Sequence, residues 1–111
     1  MLFMTAATSE YSEAKVLESL LARIAKGDKE ALGELYERTH AAVFGFAMSM
    51  ASTPADAEDV LHDTYLAVYS SAESYTAKGK PMAWIMTIAK NLARMRMRKA
   101  RRQLDIADDD W

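Results

Sequence analysis

At 111 residues the chain fits one domain with one modest hydrophobic core. Half of it is apolar and 27% is charged, which excludes a disordered chain, and with only four Gly and two Pro it favours helix throughout. The net charge of −2 hides a segregation: nine of the fourteen basic residues (Lys78, Lys80, Lys90, Arg94, Arg96, Arg98, Lys99, Arg101, Arg102) fall between 78 and 102 with no acid among them.

The start, "MLFMTAATSEYSE", lacks a basic leader region and a long apolar run, so it does not read as a signal peptide. Residues 1–12 are expected to be a flexible N-terminal segment. The absence of Cys removes disulfides and thiolate metal sites and fits a reducing, cytoplasmic setting. The first helix is predicted from about Glu13 to Lys26, where Leu17, Leu20, Leu21 and Ile24 follow the i, i+3, i+4, i+7 spacing of one buried stripe. Gly27 is its stop and Asp28 the cap of a second helix, predicted to reach about Ser52. That helix carries Leu32, Leu35, Tyr36, Val43, Phe46, Ala47 and Met50 on its apolar side.

"TPADAEDVLHDTYLAVYSSA" opens the third helix: Thr53 can cap it, Pro54 suits the first helical position, and Asp56, Glu58 and Asp59 lie near the positive end of its dipole. "ESYTAKGKP" reads as a loop, and a fourth helix is predicted from about Pro81 to Arg102. Four helices on short connections predict an all-α, compact bundle over residues 13–102. Residues 103–111 form a short acidic tail. No stretch approaches the ~18 apolar residues of a membrane span, so membrane insertion is not expected.

Helical geometry sorts each of the last two helices into two faces. On the third, Val60, Leu61, Thr64, Ala67 and Val68 share the core arc. Glu58, Asp59, His62, Asp63, Tyr65, Leu66 and Tyr69 fill the rest. This outer arc is either a solvated face whose tyrosines pack on nearby loops, or a protein interface with aromatic anchors ringed by charge. In the second case its partner is basic.

On the fourth helix Trp84, Ile85, Ile88, Ala89, Leu92 and Met95 form the core arc, opposite Lys90, Arg101, Arg94, Thr87, Arg98 and Asn91. A basic stripe suits phosphates, an Asn can bond a base edge, and an aromatic can stack an unpaired base. Trp84 lies at the seam, and taken by itself it reads as core before it reads as a stacking residue. A solvated last turn would account for two or three of the arginines, not for a long stripe free of acids. A basic amphipathic helix can also lie on a lipid surface, but here the apolar face is needed to close the bundle.

Nothing in the chain has a catalytic pattern. His40 and His62 are far apart, no metal-ligand spacing occurs, and no phosphate-binding loop or nucleophile motif is present. No enzyme activity, cofactor or metal is expected.

The stretches "GDKEALGELYERTHAAVFGFA", "DAEDVLHDTYLAVYSSAESY" and "AWIMTIAKNLARMRMRKARR" together resemble region 2 of a bacterial RNA polymerase sigma factor, in the extracytoplasmic-function (ECF) group. The likeness spans about Ala14 to Arg102. It implies a transcription initiation factor domain that docks on the clamp helices of the largest subunit of core RNA polymerase. Asp56, Glu58, Asp59, His62, Asp63 and Tyr65, with Leu66 and Tyr69 of the same face, would form the docking surface. It also implies recognition of promoter DNA at the −10 element as a melted non-template strand. Ser74, Tyr75, Lys78 and Lys80 would shape the pocket for a flipped base. Trp84, Lys90, Asn91, Arg94, Arg98 and Arg101 would line the strand or the upstream duplex edge.

Two positions depart from the family pattern: His62 stands where Gln is frequent, and Met95 where an Asp commonly follows the Asn by four residues. Members usually add a second domain that reads the −35 element, and no such region 4 is expected here, since the sequence stops at Trp111 in what resembles the start of an acidic interdomain linker. An anti-sigma factor covering the same surfaces is the other partner the resemblance implies. A helical module acting mainly through that regulator is the alternative function.

Overall fold

The computed structural model describes the backbone of residues 2–76 and 79–109, and the side chains of 12–76, 79–104 and 106. Within that range the chain forms α1 (Leu2–Ala25), α2 (Lys29–Met50), α3 (Pro54–Ser71), a single 3-10 turn (Ala72–Ser74) and α4 (Pro81–Asp109). The all-α architecture follows the sequence expectation, with no strand among the described residues.

The joints are built by the residues whose chemistry announced them. Gly27 ends α1 at φ +90°, a left-handed conformation that costs a residue without Cβ little. Its amide reaches the Ile24 carbonyl at 2.8 Å, and the Asp28 amide reaches that of Arg23 at 3.1 Å. Asp28 then caps α2, its Oδ1 accepting from the amides of Glu30 (3.0 Å) and Ala31 (3.2 Å). Its Oδ2 accepts from Arg23 Nε at 3.0 Å, tying the end of α1 to the start of α2. The Ala31 amide, followed by Arg23, holds the Asp28 carboxyl below the usual carboxylate range. Thr53 caps α3 by accepting from the Asp56 amide at 3.1 Å, with Pro54 in the first helical turn.

Two helices run past their predicted ends. α1 begins at Leu2 rather than near Glu13, and α4 continues to Asp109 rather than stopping near Arg102. Neither extension contains Gly or Pro, so helix propagates outward from the packed segment at low cost per residue.

The core gathers Leu17, Leu20, Leu21 and Ile24 of α1 around Leu35 and Val43 of α2, Leu61, Tyr65 and Val68 of α3, and Ile85 and Ala89 of α4. A second, smaller cluster joins Ala47, Ala57, Val60 and Ala93, whose short side chains let α2, α3 and α4 approach closely. Two buried hydroxyls are satisfied within their own helices: Thr39 donates to the Leu35 carbonyl at 2.7 Å and Thr64 to that of Val60 at 2.6 Å. No described helix is long and apolar enough to cross a membrane.

Candidate macromolecule-binding surfaces

The first surface is an open groove of about 490 Å³ between α2 and α3. Lys29, Leu32, Gly33, Tyr36 and Glu37 form one wall, and His62, Tyr65 and Leu66 the other. Leu66 is 66% exposed at its edge and shares the groove with Leu32 and Tyr36. His62, Glu58 and Tyr69 are also exposed along α3. The α2 wall is absent from the sequence expectation, which drew the docking face from α3 alone. The half-apolar positions Leu32 and Tyr36 were assigned to the core, and only the spacing of α2 from α3 leaves their outer edges open.

Tyr65 corrects the sequence reading. It was sorted to the outer arc, yet it is only 6% exposed. Its ring meets Tyr36 edge-on (centroids 4.9 Å apart, planes at 70°), and Tyr36 in turn stacks on His40. The Tyr65 hydroxyl lies 2.6 Å from Thr39 Oγ1. Because the Thr39 proton is already donated to Leu35, Tyr65 is the donor in this pair. Tyr65 sits at the border of the two arcs, and the aromatic wall of α2 pulls it inward. It forms the floor of the groove, not an exposed anchor.

That pairing carries an expected result. Thr39→Val leaves a buried Tyr65 donor without an acceptor and should cost about 1–3 kcal/mol, whereas Tyr65→Phe should cost about 1 kcal/mol because Thr39 keeps its bond to Leu35. The double variant should lose less than the sum, as measured by urea denaturation. Burial pushes the Tyr65 phenol above its ordinary value of 10.0. The folded state therefore holds this proton longer than the unfolded state. The associated stability is intact below about pH 10 and declines as the pH rises through the folded value, a loss that Tyr65→Phe should remove.

The acids expected on the docking face divide. Asp59 accepts from Arg96 Nη2 of α4 at 2.5 Å, and Asp63 lies 3.8 Å from Arg96 Nη1. Asp56 borders a small surface cleft with Arg96 and Lys99. All three carboxylates thus lie toward α4, and Arg96 partly neutralises Asp59 and Asp63, while Asp56 has no ion-pair partner among the described residues. Arg96 was counted only among the basic residues of the fourth helix. Exposed pairs of this kind add little stability, about 0–1 kcal/mol, but they set which charge a partner meets. Glu58 has no ion-pair partner among the described residues.

The second surface is the outer side of α4 with the loop before it. Lys90, Asn91, Arg94, Arg98 and Arg101 are all exposed, and none of the four cations has an ion-pair partner among the described residues. Met95 corrects the predicted core arc: it is 61% exposed, and Ala93 occupies the buried position instead. α4 packs into the bundle through Ile85, Ala89 and Ala93, a stripe rotated away from Met95, with Ala93 against Ala57 and Val60 of α3 and Ala47 of α2. Helical periodicity then places Met95 beside Asn91 and Arg98 on the edge that also holds Trp84. Trp84 is half-buried: it packs against the core and meets Tyr75 edge-on, with centroids 5.3 Å apart and planes at 64°.

In the loop, the Ser74 hydroxyl donates to the Ser71 carbonyl at 2.7 Å and closes the 3-10 turn. The half-buried Tyr75 donates its hydroxyl to Glu18 Oε2 at 2.6 Å, so the ring rather than the hydroxyl faces Trp84. Lys80 is exposed just before α4. Lys78 lies outside the described residues. Between this segment and α1 runs an open groove of about 390 Å³ lined by Glu13, Ala14, Leu17, Gly79, Lys80, Pro81, Met82 and Ala83.

Fold and surfaces define an all-α domain whose chemistry lies on open faces rather than in an enclosed cleft. The chain belongs to the sigma-70 region 2 family, whose model matches residues 35–103. It is 40% identical over 83 residues to the ECF RNA polymerase sigma factor SigK of Mycobacterium sp. (strain KMS), which covers 74% of this chain and 43% of that protein. To the ECF RNA polymerase sigma factor SigK of Mycobacterium tuberculosis (strain ATCC 25177 / H37Ra) it is 32% identical over 93 residues, 81% of this chain and 50% of the other. The match thus spans half or less of these curated relatives, and their names carry the ECF group to which the sequence resemblance pointed. Among solved structures, the chain is similar to an engineered region 2 of sigmaE determined by NMR in complex with GTAAAA. That match has a TM-score of 0.72 and 25% identity, covering 79% of this chain and 92% of the other.

Proposed function

We propose that this domain acts in transcription initiation, docking on core RNA polymerase through the α2–α3 groove and holding the single non-template strand of a −10 promoter element on the loop and outer face of α4. The observation that carries the reading is the separation of two unlike surfaces on one bundle. One is an apolar groove with the exposed Leu66 at its edge, and the other a face of cations around Asn91 and Trp84 that have no ion-pair partner among the described residues. The sigmaE region 2 neighbour, solved with GTAAAA, supports nucleic-acid binding by this fold.

In this reading the groove receives a helical segment of the clamp, with His62, Leu66 and Tyr69 of α3 and Leu32, Tyr36 and Glu37 of α2 in contact. Tyr65 supports them from below. Glu58, Asp56 and the Arg96-linked acids Asp59 and Asp63 form a polar rim toward basic groups of the clamp. Ser74, Tyr75 and Lys80 shape the seat of a flipped base. Lys90, Arg94, Arg98 and Arg101 neutralise phosphates, Asn91 bonds a base edge, and Met95 and the exposed edge of Trp84 give apolar contact. Melting is by capture: the bound strand offsets the few kcal/mol needed to unstack and expose its base. Such work takes place in the cytoplasm.

The test is a selection of single strands from a randomised hexanucleotide pool, with core polymerase present, followed by titration across salt. Log K should fall with log salt at a slope of roughly −0.7 per neutralised phosphate, and Arg94→Ala and Arg98→Ala should each flatten it by about that amount. No enriched strand, or a flat salt response, overturns the DNA role. Failure to compete for core polymerase overturns the docking role, and tight capture by an anti-sigma factor instead would favour the regulator-binding module.

A further inference from the structure

One carboxylate of α1 holds both ends of the loop before α4. Glu18 Oε2 accepts from the Tyr75 hydroxyl at 2.6 Å and from the Gly79 amide at 3.1 Å. The two donors stand four residues apart in the chain, so a single oxygen holds both the point where the chain leaves the 3-10 turn and the point where it approaches α4. Gly79 has φ +75°, a left-handed conformation that a residue without Cβ adopts at little cost. Tyr75, so anchored, sets its ring against Trp84. Gly79 also walls the groove between α1 and α4, beside Leu17.

A carboxylate close to a strand-binding loop is electrostatically unfavourable for a polyanion, so its place there calls for a compensating use. The two hydrogen bonds supply one, since bonds to an ionised acceptor are shorter and roughly twice as strong as neutral ones. They also draw the charge inward, toward donors of the loop rather than toward solvent.

We propose that Glu18 is a positioning residue for the strand-receiving loop, fixing Tyr75 and Gly79 so that the base seat exists before the strand arrives. This rests on the reading of that loop as the seat of a flipped base. A loop released from Glu18 spreads over more conformations, and the observed affinity falls in proportion to the fraction that remains competent. Glu18→Ala should therefore weaken strand binding about tenfold. Glu18→Gln keeps a carbonyl oxygen able to accept both bonds and should bind within about twofold of the parent protein. Neither change touches the α2–α3 groove, so competition for core polymerase should stay as it is.

The experiment combines three readouts on the whole chain: amide hydrogen exchange at Gly79, affinity for the strand selected from the randomised hexanucleotide pool, and competition for core polymerase. Expected are faster Gly79 exchange and about tenfold weaker strand binding for Glu18→Ala, both restored by Glu18→Gln, with core competition unchanged. Should Glu18→Ala fail to fold, Tyr75→Phe removes one donor alone and should speed Gly79 exchange and weaken the strand in the same direction. Strand binding by the parent protein that Glu18→Ala leaves intact overturns this inference alone, as does unaltered Gly79 exchange. A parent protein that selects no strand overturns the base-seat reading, and the inference with it.

Discussion

Replacing Ile85 with alanine is expected to destabilise the domain by about 2–5 kcal/mol, lowering the urea midpoint with little change in slope. Ile85 is 0% exposed and sits on α4 within the cluster that joins α1, α2 and α3. The substitution removes three carbons, worth roughly 0.8 kcal/mol each in transfer free energy, and adds the cost of the cavity left behind. Collapse around that cavity would require helices to shift, because Leu17, Leu21, Leu35 and Val68 approach from three different helices. Set against the ~5–15 kcal/mol by which domains of this kind are stable, the loss is a large share of the whole. Met95→Ala on the same helix should stay within about 0.5 kcal/mol, since Met95 is largely in solvent. Equal losses from the two would contradict the rotation of α4 described above.

Leu66→Asp is expected to remove most of the affinity for core polymerase, on the order of 30-fold or more, while leaving the thermal midpoint nearly unchanged. The side chain contributes little to folding because it already faces water. In the proposed complex it would be an apolar anchor against the clamp, with Leu32 and Tyr36 completing its pocket. Anchors of this kind cost about 2 kcal/mol or more when lost, and a carboxylate placed there adds the cost of burying an unpaired charge. The measurement is competition against the parent domain for core polymerase, paired with a melting curve. Unchanged competition would mean that the groove is not the docking site. Charge reversal at Asp59 and Asp63 is a less clean test, because it also breaks the pairs with Arg96 and disturbs α4.

Much of the architecture was legible in short stretches. "GD" at 27–28 and "TP" at 53–54 marked two helix junctions, and each residue there does what its chemistry implied. The stripe Leu17, Leu20, Leu21, Ile24 is buried along its whole length. The candidate surfaces were legible less completely. The exposure of Lys90, Asn91, Arg94, Arg98 and Arg101 follows from their shared arc, since long charged side chains at the far side of a core stripe have nowhere else to go. The α2 wall of the groove was hidden, because Leu32 and Tyr36 carry the same apolar signature whether they face a core or a partner. Glu18 was hidden too, standing as an ordinary acid in a helix stripe 57 residues before the tyrosine it binds.

What the sequence by itself determined is therefore local and periodic: where the junctions between helices fall, which arc of each is mainly apolar, and the concentration of positive charge between residues 78 and 102. These depend on capping groups, Gly and Pro, and i, i+3, i+4 spacing, all within a few residues of chain. The edges of each arc were decided only by tertiary structure. Tyr65 turned inward because α2 offers Thr39 and Tyr36, and Met95 stayed outside because α4 leans on α3 through Ala93. Arg96 neutralises acids 37 and 33 residues away, and Glu18 ties down a loop beyond two intervening helices. The physical reason is the same in each case: periodicity fixes a direction around one helix, and only the position of its neighbours fixes what lies in that direction.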